Sequence, residues 1–300
     1  MNRLLAMFPG PIVLTDGACA TVLFEQGLEP GQSADAWNLT HPDSVFDLAR
    51  LYVAAGSQIL LTNTFQANAL ALADHGLASQ ARRINEEGVR IAQAASEGRA
   101  KVFGCLGSVR PGAFTADDLR AAYHEQAEAL AATGADGLVL ETFSDLTLAE
   151  IAMRAAASTG LPFVASFTFG SRFGPDRTFG NVSPTEAAHQ AEALGASAMG
   201  VNCGEGPEAA LSIARQLAAA TELPLWVKPN AGVPDFTSGR ALYPFHNDAF
   251  VRLLPAFLEC GVRFLGGCCG TGPETIRALR TALNPCGRYD QRGDAGDAPV

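Results

Sequence analysis

A single-domain (β/α)8 TIM barrel is the fold class this sequence predicts, and three observations carry the prediction. Short apolar runs alternate with longer amphipathic ones, and the alternation repeats eight times. Glycines recur between an amphipathic segment and the next apolar run, where a helix would end. Polar residues gather at the C-terminal end of one apolar run after another.

The apolar runs are residues 12–17, 58–65, 101–107, 137–143, 163–169, 198–204, 225–232 and 264–270. Each is short and apolar nearly throughout, as expected of parallel strands covered on both faces. Between them, residues 43–54, 80–96, 116–133, 145–158, 184–194, 207–220, 248–260 and 273–282 place apolar side chains at three- and four-residue spacing, which predicts helices. Ser183-Pro184-Thr185-Glu186 reads as a helix start, with a capping serine, proline in the first turn and an acidic residue behind it. Gly56, Gly134, Gly160, Gly195 and Gly261 read as helix ends. Eight βα units in 300 residues suit the barrel. An open doubly wound sheet is the alternative, but no GxGxxG follows the first run. The barrel is expected over residues 1–284, and the Gly-, Asp- and Pro-rich tail 285–300 is expected to be disordered.

Composition narrows the function. With 48% hydrophobic and 17% charged residues the chain can bury one large core. A net charge of -10 and the lack of any Lys/Arg-rich run exclude a nucleic-acid partner. No apolar stretch reaches the roughly 18 residues of a membrane span, and residues 1–11 are too short for a signal peptide, so a cytoplasmic location is expected. Seven cysteines without a secretory signal do not read as a disulfide framework.

Chemistry on a barrel belongs at the C-terminal ends of the strands. Those ends read Asp16-Gly17-Ala18, Thr62-Asn63-Thr64-Phe65, Glu141-Thr142-Phe143, Asn202-Cys203-Gly204, Pro229-Asn230-Ala231-Gly232 and Gly266-Gly267-Cys268-Cys269-Gly270. Neighbouring residues of a regular strand face opposite ways. Beside Gly267 and Gly270, however, the chain can turn and bring both Cys268 and Cys269 toward Cys203. Three thiolates can hold zinc and leave its fourth position open. A thiol entering there loses its proton and stays nucleophilic, which suits alkyl transfer to sulfur. Spacing alone leaves plain burial open for these residues, and assigns it to Cys105 and Cys260. Backbone N–H groups at Gly17 and Ala18 can take a carboxylate, Glu141 an ammonium, and Asn63 and Asn230 further hydrogen bonds. Asp16 shapes the first turn. An ordinary Asp-Gly turn and a barrel-mouth salt bridge are the competing readings of Asp16 and Glu141.

These segments together resemble the homocysteine S-methyltransferase family, and within it the homocysteine-binding barrel of cobalamin-dependent methionine synthase, from about residue 11 to 282. The resemblance implies that Cys203, Cys268 and Cys269 ligate Zn2+ and that homocysteine sulfur takes the open position. It further implies carboxylate binding near Gly17 and Ala18, ammonium binding by Glu141, and transfer of a methyl group to give methionine. Betaine is disfavoured as donor, because the positions that resemble the family's aromatic cage carry Gln66 and Thr142. A separate corrinoid protein or S-methylmethionine is the expected donor, and the loop 170–181 with Arg172, Asp176 and Arg177 a candidate to shape that choice. Other readings are a homocysteine-binding module silent without a corrinoid partner, a different thiol or selenol acceptor, and a barrel with structural cysteines.

Overall fold

The computed structural model describes residues 2–110, 112–237 and 241–284; the expected tail 285–300 lies outside them. Eight parallel strands form a nearly closed barrel in the order β1-β8-β7-β6-β5-β4-β3-β2. They are β1 (Val13–Leu14), β2 (Ile59–Leu61), β3 (Lys101–Gly107), β4 (Gly137–Phe143), β5 (Phe163–Phe167), β6 (Ala198–Cys203), β7 (Leu225–Pro229) and β8 (Val262–Leu265). The helices are α1 (Arg3–Ala6), α2 (Ala20–Glu25), α3 (Trp37–Thr40), α4 (Pro42–Ala55), α5 (Ala69–Ala73), α6 (Ala81–Ser96), α7 (Ala116–Ala132), α8 (Leu146–Ser158), α9 (Pro184–Ala193), α10 (Pro207–Ala220), α11 (Asn247–Glu259) and α12 (Pro273–Leu283).

Every expected strand and helix is present, with helix ends within a residue or two of the sequence reading. Ser183 caps α9 in a reciprocal box with Glu186, and Gly56 turns left-handed (φ 114°) to end α4. The differences fall at the strands' C-terminal ends. Runs expected to stay extended through residues 65, 232 and 270 leave the regular ladder at Leu61, Pro229 and Leu265, and beyond those points single backbone bonds tie them to their neighbours, such as Thr62 N–H on Phe103 O (3.0 Å) and Gly266 N–H on Val227 O (3.0 Å). The short helices α1, α2, α3 and α5 have four to six residues each, too few for a 3.6-residue period to show in sequence.

The barrel floor takes one residue from every strand: Val13, Ile59, Phe103, Val139, Val164, Ala198, Trp226 and Phe264. Leu4 and Phe8, on and just after α1, plug it from below. A second, larger cluster fills the space between sheet and helices. At the seam between β1 and β2 one backbone bond and two side-chain bonds complete the closure. Gln58 N–H donates to Leu14 O (2.7 Å), Gln58 Oε1 accepts from Leu14 N–H (3.2 Å), and Asp16 Oδ2 accepts from Leu61 N–H (2.7 Å).

Trp226 is fully buried and its ring centroid lies 5.5 Å from Phe264 and 6.5 Å from Phe103. Trp226→Ala should therefore cost about 3–5 kcal/mol, read as a lower urea midpoint at unchanged slope.

Candidate metal centre

The three cysteines arrive from two strand ends that the backbone turns sharply. Cys203, the last residue of β6, and Gly204 are both left-handed (φ 62° and 74°). Asn230 clamps that turn: its N–H donates to Cys203 O (3.2 Å) and its Nδ2 to Gly204 O (2.9 Å). After β8 the chain is threaded between neighbours, with Gly267 N–H on Asp16 O (3.1 Å), Cys268 N–H on Pro229 O (2.9 Å) and Ala231 N–H on Cys269 O (2.9 Å). A Cβ on Gly266 would overlap Thr15 Oγ1 and the Asp16 carbonyl, and one on Gly270 would enter the Tyr243 ring. Only glycine lets this segment lie so close.

The result is a cluster of three sulfurs that all lie within 4.8 Å of one another. Cys268 Sγ is 3.6 Å from Cys203 Sγ and 4.0 Å from Cys269 Sγ. Thiolates on a tetrahedral zinc at about 2.3 Å stand about 3.8 Å apart, so the donor set fits in both chemistry and spacing. Asn230 Oδ1, buried beside this turn, has no hydrogen-bond partner. Hydrogen bonds from Cys203 and Cys268 pull the Cys269 thiol down to about 3. Cys268, pulled down by Cys203, is pushed up further by Cys269 and by burial, to about 12. Cys203 is raised through its bonds to Cys268 and Cys269. A metal held here would compete with protons for the same sulfur lone pairs.

The cluster lines a cavity of about 440 Å3 at the barrel mouth, shared with Asp16, Gly17, Ala18, Asn63, Glu141 and Lys228 among others. Lys228 was not singled out from sequence. It is the only lysine or arginine among the described residues that line the cavity. Its Nζ sits 2.7 Å from Asp16 Oδ1 and 3.6 Å from Glu141 Oε1, with all three residues buried. Burial acts against the Lys228 charge, but Asp16 and Glu141 outweigh it and raise the group. Glu141 is pushed up to about 6 by burial, against the pull of Lys228. Its Oε2 accepts from Cys105 Sγ (3.4 Å), while Oε1 has no hydrogen bond. A charge inside the apolar Leu225-Trp226-Val227-Lys228-Pro229 run was the available signal, since a lysine there needs an acid beside it.

Other expected residues take different places. Gly17 N–H has no partner among the described residues, but Ala18 N–H donates to Thr271 O (3.3 Å). Asn63 lines the cavity with its amide engaged: Nδ2 donates to Ala34 O (2.7 Å) and Asn38 Oδ1 (3.1 Å), and Oδ1 accepts from Cys19 Sγ (3.3 Å). Asn230 stands at the sulfur turn rather than on the cavity wall. Cys105, expected only to pack, lines the cavity beside Glu141. Cys260 is half-buried against the core at the end of α11.

The homocysteine S-methyltransferase family profile matches residues 13–283. The chain belongs to this family. A methionine synthase from Mycobacterium leprae (strain TN) is 30% identical over 92% of this chain and 24% of that protein. One from Mycobacterium tuberculosis is 31% identical over 82% and 22%. The chain thus spans about a quarter of these relatives. Betaine–homocysteine S-methyltransferase 1 of Rattus norvegicus is 28% identical over 92% of this chain and 73% of that protein. In fold this family member superposes on the metallated Escherichia coli homocysteine methyltransferase MmuM with a TM-score of 0.77, at 24% identity, over 93% of this chain and 98% of that one.

Asp35, on the cavity wall, accepts from Gln66 N–H (3.0 Å) and Ser33 Oγ (3.3 Å), and burial pushes it from 3.8 up to about 6. A raised carboxyl adds stability that is full below about pH 4 and lost as pH rises through about 6. Asp35→Asn, with the same shape and no titration, should match the wild type near pH 4 and exceed it by on the order of 1–3 kcal/mol near pH 7. Urea midpoints of metal-free protein at both pH values check this.

Proposed function

We propose that this chain transfers a methyl group to the sulfur of homocysteine, giving methionine, with Zn2+ held by Cys203, Cys268 and Cys269. One observation carries the reading. Three thiols at metal-binding distances share a cavity with a buried carboxylate oxygen that has no hydrogen-bond partner.

Bound there, zinc supplies a Lewis acid that keeps a substrate thiol ionised near neutral pH. The chain's own residues then bind and orient the amino acid. Glu141 Oε1, buried and without a hydrogen-bond partner, accepts the substrate ammonium in a charge-assisted contact. Gly17 N–H donates to the substrate carboxylate, a role the engaged Ala18 N–H does not share. Asp16 keeps Lys228 paired, so that Glu141 is not tied to it by a close contact. Asn63 and Asn230 shape the cavity wall and the sulfur turn.

The cavity of about 440 Å3 lies within the usual range for a small-molecule site, about 300–1,000 Å3. It is larger than homocysteine needs, which supports a small donor such as S-methylmethionine entering beside the acceptor. A separate corrinoid protein is the second donor reading, favoured by the similarity to methionine synthases of which the chain spans about a quarter. Neither Gln66 nor Thr142 supplies the ring that a quaternary ammonium favours.

Reduced protein should carry one zinc per chain (about 1:1), lost more slowly to chelator when homocysteine is present. Cys268→Ser should lose the metal and methyl transfer while keeping its far-ultraviolet circular dichroism, because the barrel floor lies apart from the sulfurs. Full turnover in that variant would sink the reading. Glu141→Gln should keep the metal but weaken homocysteine binding roughly 10- to 150-fold, the worth of a hydrogen bond to a charged group. Titration calorimetry on the metal-loaded variant measures this.

A further inference from the structure

Asn202 lies at the end of β6, fully buried, and none of the roles above uses it. Its Oδ1 accepts from Ser166 Oγ on β5 (2.7 Å) and from Thr142 N–H on β4 (2.9 Å). Its Nδ2 donates to Thr142 Oγ1 (2.7 Å) and reaches Cys268 Sγ at 4.0 Å. A primary amide offers two donors and two acceptor lone pairs, and here the contacts use them all.

The grip falls on a strained residue. Thr142 is β-branched yet left-handed, with φ 63°, a conformation that costs about 1–3 kcal/mol and persists only where the surroundings impose it. The β4–β5 ladder shifts register between Leu140 and Phe143, across this point. A regular strand sends adjacent side chains to opposite faces, but Glu141 and Thr142 both line the cavity. On the other side, Asn202 is bonded directly to Cys203, itself left-handed at φ 62°.

We infer that Asn202 is the positioning residue that sets the spacing between the ammonium acceptor Glu141 and the three-cysteine cluster, and so makes the site select an amino-acid thiol of homocysteine length over one a methylene shorter. The inference rests on the function proposed above. Asn202 touches neither end of the substrate. It acts through Thr142 on Glu141 and through the peptide bond to Cys203 on the sulfurs. A substrate that must reach the metal with its sulfur and Glu141 with its ammonium is measured by that spacing, and one methylene is worth roughly 10- to 200-fold in such a site.

Protection of the metal in zinc-loaded protein against a chelator gives dissociation constants for homocysteine and cysteine without any methyl donor. The wild type should favour homocysteine by about tenfold or more. Asn202→Ser removes the grip on Thr142, and the preference should fall to within about threefold. Thr142→Gly removes the gripped hydroxyl and leaves residue 142 free to take or leave the left-handed conformation at little cost; it should fold, and with the spacing no longer held it should show the same fall. A merely structural role would weaken both ligands alike and leave their ratio unchanged.

Retention of the wild-type ratio in either variant overturns the inference, as does a wild-type ratio below about threefold. If Asn202→Ser fails to hold metal, Thr142→Gly decides alone. Absence of any homocysteine protection in the wild type overturns the proposed function instead.

Discussion

The contact between Asp16 and Lys228 joins the closure of the barrel to the content of its mouth. One carboxylate oxygen of Asp16 takes the Leu61 N–H and spans the seam where β1 and β2 lack a ladder; the other takes Lys228 Nζ from β7. A buried ion pair of this kind is a weak source of net stability, since both charges lose their water. Breaking it is another matter: one partner removed leaves an uncompensated charge, a loss of about 3–5 kcal/mol. The pair therefore specifies geometry more than it stabilises. It places a cation 3.6 Å from Glu141, near enough to hold that carboxylate against its desolvation yet long for a hydrogen bond.

Strain concentrates where the strands leave the ladder. Of four non-glycine residues with positive φ among the described residues, Thr142 and Cys203 are at the site. Each is over-determined by its neighbours: Thr142 by the Asn202 amide, Cys203 by the N–H of Asn230 on its carbonyl. The glycines of the Cys268 segment follow the same logic, since the chain there is threaded between Thr15 on one side and Tyr243 on the other. A barrel strand continued regularly would send alternate side chains away from the mouth. Irregular backbone is what lets Glu141 and Thr142, or Cys268 and Cys269, serve one cavity.

Much of this was legible in the sequence, and the limits have physical causes. The eight βα units show because burial on both faces and helical periodicity are local patterns. The cysteines show because glycines flank them at a strand end. Lys228 and Asn202 were hidden because their meaning lies in partners on other strands: Asp16 is 212 residues from Lys228, and Thr142 is 60 from Asn202. A polar residue inside an apolar strand signals that a partner exists but not which one. The same limit explains Asn63 and Asn230. Their residue type suits a hydrogen-bonding role, and the partners they take come from distant segments: Asn63 is engaged by Ala34, Asn38 and Cys19, while Asn230 gives Nδ2 to Gly204 O and leaves Oδ1 without a partner.

The charge balance fits the metal and the neutral incoming thiol of the proposed function. Asp16, Asp35 and Glu141 line the cavity, and Lys228 is the only lysine or arginine among the described residues on its wall, so acidic side chains outnumber these cations before any cysteine is counted. The sulfurs respond accordingly. Cys269 ionises readily with help from its two neighbours, while Cys268 is pushed up to about 12 and Cys203 is raised as well. Three thiolates in such a place need a divalent cation among them, which is why cation binding there must release protons. On the proposed function, an acceptor arriving as an ionised thiolate would face the same repulsion and a neutral thiol would not; zinc held by Cys203, Cys268 and Cys269 would then favour its thiolate form. The ammonium of such an acceptor would be drawn to Glu141 by the same acidic surroundings. On the proposed function the arrangement thus favours an amino acid that presents its ammonium to Glu141 and its carboxylate to Gly17 and is neutral at the sulfur, which is the dominant, zwitterionic form of an amino-acid thiol below the thiol's own pKa of about 8.5.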